Sequence, residues 1–171
     1  MNLQKLFFVF LLIVVFTTNT FAQATATATA TATIIAPITI ANAVDMNFGN
    51  VAIQAGTAGT VVIAPAGTRT RTAGVTLPST TGTFTQASFT IGGEGVYTYA
   101  ITIPSTDYTI TDPISTATMI VNTFTSTPSE TGTLTAGAQT LNVGATLNVG
   151  AAQTPGVYTN DNGFDVTVNY N

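Results

Sequence analysis

The side chains able to do acid–base or ionic chemistry are few. They are seven carboxylates, Asp45, Glu94, Asp107, Asp112, Glu130, Asp161 and Asp165, with Arg69, Arg71 and Lys5 as the only cations. Histidine and cysteine are absent. Nucleophilic catalysis of the Ser-His or Cys-His kind needs a base beside the nucleophile, and this chain offers neither. A carboxylate pair could hydrolyse a glycoside, but these acids stand mostly beside turn residues, where Asp and Glu serve solvation and turn bonding. Asn160-Asp161-Asn162-Gly163-Phe164-Asp165 has some of the spaced oxygens of a Ca²⁺ loop. It lacks the length and the terminal Glu, and Asn162-Gly163 reads as a tight turn. No Walker loop, HExxH or Cys/His metal spacing occurs. Arg69 and Arg71 share one strand face and read as charge guarding a sheet edge. The expectation is a chain that is not an enzyme and carries neither metal nor cofactor.

The elements that would hold these residues are strands. Thr occurs 38 times in 171 residues, hydrophobic residues make up 45%, and only 6% are charged. Thr with Val, Ile, Phe and Tyr is strand composition, Gly and Pro punctuate it at short intervals, and no stretch shows a helical period. The expected fold is all-β, a two-layer immunoglobulin-like sandwich. The expected strands are 24–40, 44–53, 59–65, 73–78, 82–91, 96–103, 106–111, 117–126, 131–135, 139–149 and 155–170. TLNVGA stands at 140–145 and again at 146–151. It reads as two short strand pieces with a Gly-containing bend.

The N-terminus divides in two. Residues 1–22 read as a secretory signal peptide: Lys5, an apolar run from Leu6 to Phe16, then small residues suited to cleavage after Ala22 or Ala24. Residues 23–33 form an extension, and 34–171 the sandwich domain. From Ala24 to Ile40 every even position is apolar, and Thr25 to Thr33 alternate with them. Alternate side chains of a strand face opposite ways, so this is a strand with an apolar face and a hydroxyl face. Seventeen residues span roughly 56 Å, whereas a domain of this size is about 35 Å across. The simplest reading is that part of the strand belongs to a neighbour's sheet, the alternative being a flexible leader. Its alanine methyls bury too little apolar surface to hold it extended alone.

A net charge of −4 disfavours nucleic acid and anionic membranes, which require cation clusters. No direct membrane insertion is expected, since no later apolar run could span a bilayer. Thr-x-Thr runs, as at Thr123, Thr125 and Thr127, resemble the flat Thr arrays of ice-binding surfaces. They are also ordinary on exposed strand faces.

The ending GFDVTVNYN, with Tyr170 penultimate, resembles bacterial chaperone–usher fimbrial subunits. PGVYT at 155–159 and MNFGNV at 46–51 resemble the spore-coat-U-like members. With ATATATIIAPITI, ASFTIGGEGVYTYAITIPS and TLNVGATLNVGA, the chain also resembles a family of secreted, Thr-rich bacterial domains of unknown function. The fimbrial resemblance implies a sandwich lacking its last strand, completed by the extension of the next subunit. Ala24, Ala26, Ala28, Ala30, Ala32 and Ile34 would be the donor strand. Phe164, Val166, Val168 and Tyr170 would line the acceptor groove and be the strand that a chaperone reads. The implied partners are copies of the same chain in a filament, a periplasmic chaperone and an outer-membrane usher, on a route through the periplasm to the cell surface. The competing expectation is a monomeric secreted binding module, for surface glycans or ice, with Tyr97, Tyr99, Tyr108 and Tyr158 as candidate contacts.

Overall fold

The computed structural model describes residues 22–171. Among them there is no helix, and every strand pairing is antiparallel. The compact body runs from Ile35 to Asn171. Its strands are β1 (Thr39–Val44), β2 (Ala52–Ile53), β3 (Gly59–Ile63), β4 (Arg69–Arg71), β5 (Val75–Thr76), β6 (Ala87–Gly92), β7 (Thr98–Thr102), β8 (Tyr108–Thr111), β9 (Thr118–Thr127), β10 (Thr131–Thr133), β11 (Ala138–Val149) and β12 (Thr167–Tyr170). Seven of them form one sheet, β10-β7-β12 a second, and β2 and β5 a short ribbon. The expected all-β sandwich is the fold observed.

β11 is the spine of the large sheet. β9 runs along one of its edges over Asn142–Asn148, while the other is shared by β6, over Ala138–Val143, and β3, over Ala145–Val149. The six-residue repeat is even, so both copies place their apolar residues on the same face. Leu141, Val143, Ala145, Leu147 and Val149 are all buried. The bend expected at Gly144 is not there: the two copies make one continuous strand. Gly144 instead gives room to passing backbone. A Cβ at that position would press on the Ile63 carbonyl oxygen and lie 2.8 Å from backbone atoms of Ala64 and Pro65.

β9 carries an extra residue. Between the pairs Thr146–Asn122 and Gly144–Thr125 the register shifts, with Thr123 at φ 50. Such a bulge reverses the strand's parity. Val121 and Phe124, three apart, are therefore both buried. The inner face of the large sheet packs with Tyr99, Leu134 and Val168 from the region of the small one into one core. The outer face carries hydroxyls in register, such as Thr90 beside Thr140.

Several expected strands are shorter than the alternation suggested: 44–53 is formed only over Ala52–Ile53, 73–78 only over Val75–Thr76, and 82–91 only from Ala87. The 24–40 strand is formed only from Thr39 onward. Its partner β6 ends at Gly92, opposite Thr39, so residues 22–38 meet no ladder among the described residues. The expected 155–170 strand is formed only over Thr167–Tyr170. Thr159 bridges to Thr111, and Asn160–Gly163 make a turn, so this stretch follows the end of β8 before the ladder with β7 begins. The expected signal peptide lies outside the described residues except for Ala22.

Candidate functional site

Of the strands with an open edge, two lie side by side. Among the described residues β1 pairs only with β6, and β12 only with β7. The other free edges are guarded or short. β8 is bridged by Thr159, β4 is three residues carrying Arg69 and Arg71, and β10 is three residues.

The hydrogen-bond phase shows which groups face the slot between β1 and β12. Asn171 donates its N–H to the Thr98 carbonyl, so Asn169 and Thr167 point their polar backbone groups at β7. Val168 and Tyr170 point theirs at the open edge. Gly93 donates to the Gly137 carbonyl, which directs Phe89 and Ile91 toward β11, and Thr90 and Gly92 toward β1. Ile40 and Asn42, opposite Ile91 and Phe89, then face the slot. A strand between the two edges would need about 9.6 Å, twice the inter-strand spacing. The Cα atoms of β1 and β12 come within 8 Å of each other, so insertion must spread the edges by a few ångströms.

The four residues expected to line the groove share the inward face. Val168 is 7% exposed; Phe164, Val166 and Tyr170 are half-buried. Phe164 and Val166 precede the strand. Phe164 packs at 4.9 Å from Phe124, with Tyr108 and Phe89 edge-on at 6.0 and 6.4 Å. It closes the space between the sheets near a shallow depression of about 390 Å³ bounded by the 102–108 and 163–167 segments. The Tyr170 hydroxyl accepts from the Glu94 N–H at 2.6 Å and donates to the Ala36 carbonyl at 3.1 Å.

The β1 side of the slot, Ile40 and Asn42, was not legible as a site. Ile40 closes the alternating tract and Asn42 lies just beyond it, and only pairing with β6 distinguishes them. The expected donor residues Ala24, Ala26, Ala28, Ala30, Ala32 and Ile34 are exposed and belong to no strand among the described residues; Ile34 is 96% exposed.

The other candidates have structural duties. One Arg69 Nη donates to the carbonyls of Phe48, Asn50 and Thr81 at 2.6, 3.4 and 3.4 Å, and the guanidinium sits 4.5 Å over the Phe84 ring. Asn160–Gly163 is a turn: Asn162 N–H donates to the Asn160 side chain, Gly163 N–H to the Asn160 carbonyl, and Gly163 has φ 64. Asp112 is buried and accepts from the Ser115 hydroxyl and the N–H groups of Ser115 and Ile114. The Ser115 hydroxyl above all holds its carboxyl below the ordinary value of 3.8. Among the described residues no group of His, Cys, Asp and Glu is placed to hold a metal.

The tyrosines do not converge on one pocket. Tyr99 is buried and donates to Gln139; burial pushes its hydroxyl pKa up. Tyr158 donates to the Thr154 carbonyl and accepts from Gln153. Tyr97 packs on Tyr170, and Tyr108 lies in the Phe164 cluster, its pKa raised by burial and secondarily by Asp161.

Fold and site define an all-β sandwich with two neighbouring open edges. The chain belongs to a family of domains of unknown function, DUF4402, which it matches over residues 38–170. That span opens just before β1 and closes at Tyr170, the two sides of the slot. No curated protein and no solved structure matches the chain.

Proposed function

We propose that this chain is a non-enzymatic structural subunit of a secreted bacterial surface fibre, in which the N-terminal tract of one copy completes the sandwich of the next. One observation carries the reading. β1 and β12 are adjacent edges with backbone donors and acceptors turned to the slot between them, and the chain also carries an alternating apolar tract that meets no ladder among the described residues. A strand laid in the slot would bond to both edges and turn its alternate side chains toward Ile40, Val168 and Tyr170. Strand addition of this kind takes affinity from the backbone and fit from alternate side chains. It also removes two exposed edges, which are otherwise an aggregation liability.

The resemblance to chaperone–usher subunits supports the assembly route. A periplasmic chaperone would cover the β12 edge before the next subunit does, and an outer-membrane usher would pass the growing fibre to the surface. The test is thermal melting of the compact unit 35–171 with and without a peptide covering Gln23–Ile34. A specific ligand at a hundred times its Kd stabilises by about 2.7 kcal/mol, a shift of several degrees for a domain of this size. An unchanged transition at saturating peptide would reject the proposal.

A further inference from the structure

If the tract completes a sandwich, something must keep it from filling the slot of its own chain. The tract ends at Ile34, and β1 begins four residues after Ile35–Ile38 are entered, at Thr39. To fill its own slot the tract would run back along β1 as a hairpin partner, reversing within Ile35-Ala36-Pro37-Ile38. Tight hairpin turns need positive φ and favour Gly, Asn or Asp. Here two residues are β-branched, Pro37 has a fixed negative φ, and Pro37 biases Ala36 toward extended backbone.

Both polar backbone groups of Ala36 are also held. Its carbonyl accepts from the Tyr170 hydroxyl at 3.1 Å, and its N–H donates to the Glu94 carboxylate at 3.5 Å. The same hydroxyl accepts from the Glu94 N–H. It is seated over Gly93, where any Cβ would collide with it. The Tyr97 ring packs edge-on against Tyr170 at 5.9 Å. Glycine at 93, a hydroxyl at 170 and the Ala36–Pro37 pair thus form one joint, built from the start and the end of the domain and the turn after β6.

We infer that this joint is a clamp that prevents self-complementation and commits the tract to a second copy of the chain. The inference rests on the fibre reading above. It assigns Tyr170 and Glu94 a positioning role distinct from lining the slot.

The experiment is sedimentation velocity of the mature chain, 23–171, over a range of concentrations, with melting of each species. Wild type is expected to give a ladder of oligomers. A Tyr170→Phe, Pro37→Gly chain keeps the ring but frees the joint. Its monomer fraction should rise about five- to tenfold, the effect of losing a hydrogen bond of ordinary strength. That monomer should be independent of concentration and should not respond to added tract peptide, because its slot is filled. Glu94→Ala, outside the slot, should shift the distribution the same way by less. An unchanged ladder in both variants overturns the clamp. A variant monomer whose melting still rises with added Gln23–Ile34 peptide has an empty slot and overturns it equally. Wild type that forms no oligomer and ignores the peptide removes the fibre reading, and the clamp with it.

Discussion

Truncating Ile34 to Ala separates assembly from folding. Ile34 is 96% exposed in the single chain, so the substitution takes no contact from the chain's own core. Surface changes of that kind usually fall within about 0.5 kcal/mol. In a neighbour's slot the same residue would be the last and largest apolar side chain of the donor. Ile exceeds Ala by three carbons, and at about 0.8 kcal/mol per buried carbon the loss is about 2.4 kcal/mol. That is about 50-fold in the association constant. Each upstream alanine contributes a single methyl, so no other donor position from Ala24 to Ala32 weighs as much. Sedimentation equilibrium of residues 23–171 as wild type and as Ile34→Ala measures the association constant, and urea unfolding at dilution measures the monomer. Thr33→Ala, on the opposite face of the tract, is the control and should stay within about twofold. An Ile34→Ala chain that associates within about threefold of wild type would refute burial of this residue in a partner.

Three further outcomes follow from the body of the fold. Gly144→Ala forces a Cβ onto the rigid backbone of Ile63–Pro65 and should cost about 1–3 kcal/mol, read as a melting temperature lowered by roughly 5 °C or more; Gly56→Ala, with nothing nearby, should change little, and equal melting of the two would refute the packing argument. Arg69→Met removes the charged donor shared by Phe48, Asn50 and Thr81 and should cost about 2 kcal/mol in urea unfolding, whereas a wild-type midpoint would show that the 46–50 loop holds without it. Asp112 has a carboxyl held below 3.8 by the Ser115 hydroxyl, so its stabilisation is full above that value and is lost as pH falls through the lower folded value. Asp112→Asn should be less stable than wild type at pH 7 and should lose less on going to pH 3 (two urea curves for each protein check this), and parallel pH dependence in both would refute the assignment.

Much of the chain was legible because strand information is local. Alternation and turn residues mark the positions of most strands, and absent His and Cys narrow the available chemistry. Where strands stop was less legible. Thr39 begins β1 because β6 ends at Gly92, and Thr167 begins β12 because β7 ends opposite it, at Thr102. Neither partner can be read from the strand it limits. Arg69 is similar: a guard on an edge by its spacing, and by its contacts also the bracket of a loop 21 residues away.

By itself the sequence determined the strand composition, the shared face of both TLNVGA copies, and the inward set Phe164, Val166, Val168 and Tyr170. These follow from period-two alternation, which neighbours along the chain settle. The tertiary structure alone decided three things. The bulge at Thr123 brings Val121 and Phe124 to one face against that alternation. Gly144 serves as a passage for backbone rather than a bend. The open edges of β1 and β12, more than a hundred residues apart, lie beside each other. The physical reason is the same in each case: pairing and close approach are set by the partner across the gap, and a strand's own residues specify its faces but not what lies along its edges.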